Sequence, residues 1–178
     1  MFEIGTYVSY RSEGVCVISD ICTEAFNALG KSEEFYILAP LKDMNSILYV
    51  PVNNELLTSK MQPLLSADEI CALASELRDE KMEWIVDSRA RNSALREILA
   101  AGDRRELIVL VNTITDRINR SAEIGRKITA GDENTLKRAM KMLLDEFSTT
   151  TDLSSTEELM GVIAGERRCL PKKIRTEK

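Results

Sequence analysis

At 178 residues the chain can hold one large domain or two small ones, and its 44% hydrophobic and 30% charged residues are ordinary for a folded protein. It contains no histidine, which removes the commonest general base near neutral pH and excludes His-dependent triads, metallohydrolases and phosphotransfer. A net charge of −5 makes it a poor free-standing nucleic-acid binder, because phosphate neutralisation supplies most non-specific affinity.

Residues 1–65 carry strand signals. A first strand is predicted over 6–10 and a polar turn at Ser12-Glu13-Gly14, followed by a β-branched strand over 15–22. A loop over 27–33 leads to the third strand, Glu34-Phe35-Tyr36-Ile37-Leu38-Ala39-Pro40, and Asp43-Met44-Asn45 turns into a fourth over 46–52. Pro51 lacks an N–H and belongs at a strand end or an edge. A fifth strand around 56–62 completes a small, bent β-barrel of Tudor or SH3 type over 1–62. The fourth strand is apolar throughout from Ile47 to Val50. Its second face is covered either by the barrel core and the first helix, or by a partner's sheet added at an edge.

From Ser66 the period becomes helical. Ser66-Ala67-Asp68-Glu69 is a capping box that opens a helix bearing Ile70, Leu73 and Leu77 on one face. A second helix is predicted over 84–101, stopped by Gly102, with Asp103 capping a third over 104–121 whose stripe is Leu107, Val111, Ile114 and Ile118. Gly125 and residues 129–131 form a connector to a fourth helix over 133–147, and Ser154-Ser155-Thr156-Glu157 caps a fifth that ends near 164. The class is therefore α+β, with a β-module over 1–62, an all-α domain of about five helices over 66–165, and a basic flexible tail over 166–178.

No run of apolar residues is long enough to span a bilayer, and the opening Met1-Phe2-Glu3-Ile4-Gly5 has no signal-peptide character, so no membrane partner and a cytoplasmic location are expected. The four cysteines form no CxxC pair, and no metal site or cofactor is expected. Cys16 and Cys22, an even number of positions apart on one predicted strand, read as small hydrophobes on one sheet face. Paired acids such as Glu33/Glu34, Asp79/Glu80 and Glu157/Glu158 suit caps and solvated faces, and no phosphate-cradling loop is present. No catalytic residue set emerges, and an enzyme is not expected.

Charge is unevenly distributed: residues 84–127 hold nine bases against six acids, whereas 66–83 hold six acids against two bases. Arg104-Arg105 opens a helix, where cations are mildly unfavourable; a solvated face is the ordinary reading, and an outside anionic partner the sharper one. The only tryptophan, Trp84, shares a predicted helix face with Ser88, Arg91 and Leu95. It is either a core residue pinning the helices or a wedge presented with Arg89 and Arg91 to a minor groove.

The ordered patterns Phe2-x-Ile4-Gly5-x-x-Val8-x-Tyr10, Glu13-Gly14-Val15, Glu34-Phe35-Tyr36-Ile37-Leu38 and Leu48-Tyr49-Val50-Pro51-Val52, followed by Trp84, Arg89-x-Arg91 and Leu99-Ala100-Ala101-Gly102-Asp103, resemble the CarD/CdnL family of RNA-polymerase-binding transcription regulators. The first part is also similar to the module of the transcription-repair coupling factor. The resemblance implies a Tudor-like module that adds a strand to the polymerase β subunit through Ile47, Leu48 and Tyr49. It further implies a helical half that meets promoter DNA at the upstream edge of the bubble, with Trp84 as wedge and Arg89 and Arg91 on phosphates. Better-known members have arginine where Tyr49 stands, and their tryptophan aligns without gaps to Ser88. The expected protein is a monomer whose DNA contact is weak and polymerase-dependent. The alternative is a protein–protein adaptor that binds polymerase without touching DNA.

Overall fold

The computed structural model describes residues 1–24, 32–43 and 45–172. Most of the loop expected over 27–33, Met44 of the expected turn, and residues 173–178 of the basic tail lie outside these residues. The chain divides into two compact units, Met1–Leu64 and Leu65–Lys178.

The first unit is an antiparallel sheet of β1 (Tyr7–Tyr10), β2 (Gly14–Glu24), β3 (Glu33–Pro40), β4 (Leu48–Pro51) and β5 (Met61–Pro63), in the order β4-β3-β2-β1-β5, with one helical turn α1 (Glu55–Thr58). A single 3-10 turn joins β1 to β2 and ends at Gly14, whose φ of 77° a side chain would strain. Alternation builds the core. Tyr10 opposes Met61, Val8 opposes Cys16, Ile18 opposes Leu38, and Tyr36 opposes Val50, and all eight side chains are buried. The register of β2 against β3 shifts between Ile18 and Asp20, so Ser19 is a bulge residue. The bulge inverts the alternation: Ile18 and Ile21 both pack on the core, and Cys22 is carried to the face opposite Cys16. The two cysteines therefore do not share a sheet face, contrary to the even spacing. The α+β class expected from the sequence holds, and the strands form an open ladder with β4 and β5 at its ends.

The second unit contains α2 (Ala67–Leu77), α3 (Ser88–Ala101), α4 (Arg104–Glu123), α5 (Ala130–Phe147) and α6 (Thr156–Ala164). The Ser66–Glu69 capping box forms as read, Gly102 ends α3 in the left-handed conformation, and Asp103 caps α4 by accepting from the N–H groups of Arg105 and Glu106. α4 packs against α2, α3 and α5, and so buries Ile108 and Leu110 beside the expected Leu107, Val111 and Ile114. Two helix starts differ from expectation. α3 begins at Ser88 rather than at Trp84, because the Asp87 carboxylate accepts the Ala90 N–H at 2.8 Å. α5 begins at Ala130, because Thr129 caps it through the Asp132 N–H.

The segment after α6 is not a free tail as far as residue 172. Arg167 bridges Glu158 at 2.5 Å and Asp152 at 3.0 Å, Cys169 is buried, and the Lys172 N–H donates to the Thr150 carbonyl. The Ser154 N–H and hydroxyl and the Arg167 guanidinium hold the Glu158 carboxyl down at about 2, against an ordinary value of 4.5. A carboxyl lowered on folding stabilises the fold above 4.5, and that contribution is lost as pH falls from 4.5 towards 2. Thermal melts across this window should show the gap between wild type and Glu158→Gln closing as pH falls. A gap that stays constant with pH would contradict the linkage.

Candidate functional site

Two surfaces collect the residues singled out in the sequence. The first is the end strand of the sheet. β4 pairs with β3 on one side, through Phe35 with Pro51, Tyr36 with Val50, Ile37 with Tyr49, and Leu38 with Leu48, and no strand among the described residues pairs on its other side. The apolar run splits by alternation. Val50 is 1% exposed and Leu48 packs on the same core, while Tyr49 points to the other face and is 48% exposed. There Tyr49 meets Phe35 edge-on, with ring centroids 6.2 Å apart. Ile47, just before the strand, is 56% exposed. Ile47 and Tyr49 are thus presented outward, whereas Leu48 serves the core.

The second surface surrounds Trp84, which lies in the link between α2 and α3 and not on a helix. That link is strapped across α4: the Asn112 side-chain amide donates to the Leu77 carbonyl, the Met82 N–H donates to the Thr113 hydroxyl, and Lys81 pairs with Asp116 at 2.7 Å. Trp84 is half-buried at the margin of the helical core, with the Arg91 and Arg117 guanidiniums 4.6 and 5.3 Å from its ring centroid.

Arg91 is not available to phosphates. It is 6% exposed and grips Asp132, itself 1% exposed, with Nε to Oδ1 at 2.9 Å and Nη2 to Oδ2 at 3.2 Å. Its Nη1 donates to the Ile85 and Val86 carbonyls, which fixes the link beside Trp84. Its role is positional: it holds the Trp84 segment on the start of α5. Ser88 and Arg89 are exposed on the first turn of α3.

Beside Trp84 opens a groove of about 340 Å³ with Arg117, Arg120, Arg126 and Lys127 along its wall. Arg120 pairs with Asp116 at 2.7 Å, a carboxylate it shares with Lys81. Among the described residues no acid pairs with Arg117, Arg126 or Lys127, and all three are exposed. Sequence reasoning counted these cations without placing them in a site. The turn at Gly125 brings Arg126 and Lys127 back beside the end of α4. The Arg104-Arg105 pair, by contrast, has internal partners. Arg104 is buried 3.1 Å from Glu146, and Arg105 forms a two-pronged pair with Glu76. Neither a solvated face nor an outside anion is needed for them.

Among the described residues no group of three or more Cys, Asp and Glu could hold a metal ion, and no helix is long and apolar enough to cross a membrane. The small antiparallel sheet thus ends in β4, whose outer side has no paired strand among the described residues, with Tyr49 on it and Ile47 just before it exposed. Residues 2–64, almost the whole of that unit, match the family model of the CarD-like/TRCF RID domain, in agreement with the resemblance read from the sequence. This domain supports a transcription-related role through interaction with RNA polymerase. Comparison of the chain with curated proteins gives no match.

Proposed function

We propose that the protein is a non-enzymatic transcription regulator that docks on the β subunit of RNA polymerase through the β4 edge and contacts promoter DNA through its helical unit, shifting the stability of the open complex. The observation that carries this reading is the coincidence of the RID-domain match with a unit that exposes Tyr49 on its end strand and Ile47 just before it. The DNA half is supported by Arg117, Arg126 and Lys127 beside Trp84, which have no acidic partner among the described residues, with Arg89 exposed at the start of α3. Docking raises the local concentration of DNA near these cations, so a chain of net charge −5 need not bind DNA tightly alone. Contacts made only to the opened, bent duplex then favour the open state by their differential affinity. The adaptor reading, polymerase binding without DNA contact, is supported by the net acidity and by the packing of Trp84 and Arg91 on the helical core.

Capture of core RNA polymerase by the purified protein is the direct test. Tyr49→Asp and Ile47→Asp, both at exposed positions, should weaken capture by roughly tenfold or more, as expected for anchor residues, with melting unchanged. Wild-type capture by both folded variants would remove β4 from the interface.

A further inference from the structure

The helical unit brings together two thiols that no part of the proposed function uses. Cys71 stands in the second turn of α2, and Cys169 follows α6; their sulfurs are 3.3 Å apart. The Cys169 sulfur also lies 3.3 Å from the Ala67 carbonyl, one helical turn before Cys71, so it is seated over the start of α2. Its strand of chain is fixed independently. The Asp152 N–H donates to the Leu170 carbonyl at 2.9 Å, the Leu170 N–H donates to the Asp152 carboxylate at 2.8 Å, and Pro171 bridges to Thr151. Cys169 is thus held against Cys71 by contacts that do not involve either sulfur. Cys16 and Cys22, in the other unit, are turned to opposite faces by the Ser19 bulge.

We propose that Cys71 and Cys169 are a redox-sensitive pair that closes to a disulfide on oxidation, fastening the C-terminal segment to α2. Both thiols are free in this structure. A disulfide bond of about 2.05 Å requires the sulfurs to approach by roughly 1.3 Å. With a small disulfide such as oxidised glutathione as oxidant, Cys71 loses its proton to water, and its thiolate attacks one glutathione sulfur. A mixed disulfide forms and one glutathione thiolate leaves. Cys169 then gives up its proton, its sulfur attacks Cys71, and the second glutathione leaves as thiolate. Two protein thiols are oxidised and one glutathione disulfide is reduced to two thiols. Cys71 is the partly accessible member and meets the oxidant first. Burial, and next the neighbouring Cys71 sulfur, push the Cys169 thiol up to about 12, which makes the second attack the slow step.

The bond would close a loop spanning most of the helical unit, and cross-links over long loops restrict the unfolded chain most. The experiment treats the full-length protein with oxidised glutathione, alkylates remaining thiols, and maps peptides by mass spectrometry. A Cys71–Cys169 linked peptide is expected, with a melting temperature raised by roughly 10 °C and restored by dithiothreitol. The double variant Cys16→Ser/Cys22→Ser should behave identically, and Cys169→Ala should stop at the mixed disulfide on Cys71. A wild-type protein that remains fully alkylatable, or that retains glutathione on Cys71, overturns the proposal. So does a linkage that appears only in denaturant.

Discussion

Replacing Arg91 with alanine should cost about 3–5 kcal/mol, the range for breaking a buried ion pair by removing one partner. The substitution leaves the Asp132 carboxylate almost fully buried without its guanidinium and strips the Ile85 and Val86 carbonyls of a shared donor. It also removes one of the two cations stacked on Trp84. The link before α3 and the start of α5 lose their common clamp together. The helical unit should melt lower by on the order of 10–20 °C, and the sheet unit should not shift. Exchanging both partners for apolar residues of similar volume, as in Arg91→Met/Asp132→Leu, should recover much of the loss, because no charge is then stranded. If Arg91 instead served phosphates from the surface, Arg91→Ala would leave the melting curve where it was and alter only DNA binding. Denaturant unfolding of the single and double variants separates the two roles.

Much of this architecture is legible in the residues themselves. The switch from period two to helical period at Ser66, the Ser66–Glu69 box and the Gly102-Asp103 junction are local signals, each carried by atoms within a few positions, and each appears where the pattern puts it. Apolar continuity from Ile47 to Val50 likewise marked a strand with unusual demands, and β4 lies at the end of the sheet. The two misplaced helix starts come from competing local chemistry. Asp87 outbids the apolar pattern that carried the predicted helix back to Trp84. Thr129-Ala130-Gly131-Asp132 is a threonine-to-acid cap spacing, but Gly131 within it reads as a connector. The Ser19 bulge has no glycine or proline to announce it, and it cancels the parity argument for Cys16 and Cys22. Arg91 and Arg104 could not be recognised as buried because Asp132 and Glu146 lie far along the chain, and only the packing of α3 and α4 on α5 makes them neighbours. An arginine beside a tryptophan looks the same in sequence whether it faces a phosphate or an internal carboxylate.

That ambiguity moves the test of DNA contact from Arg91 to the groove. Neutralising Arg117, Arg126 and Lys127 together, as Arg117→Gln/Arg126→Gln/Lys127→Gln, removes the exposed cations there that have no acidic partner among the described residues. All three are exposed, so folding cost should be small, apart from the loss of the Arg117 contact with the Trp84 ring. In a polymerase–promoter complex, each phosphate contact contributes about 0.9 to the slope of log affinity against log salt, so three lost contacts should flatten it by roughly 2.7. Open-complex lifetime should shorten in parallel, while capture of polymerase without DNA stays at the wild-type level, because β4 is untouched. The isolated wild-type chain should bind duplex weakly at physiological salt, given its net charge of −5. An unchanged slope and lifetime in the folded triple variant would take the groove out of the DNA interface and leave the adaptor reading standing. A flattened slope with Arg91 untouched would assign the phosphate contacts to the end of α4 and the turn after it, with Arg91 and Trp84 as the support on which that surface is built.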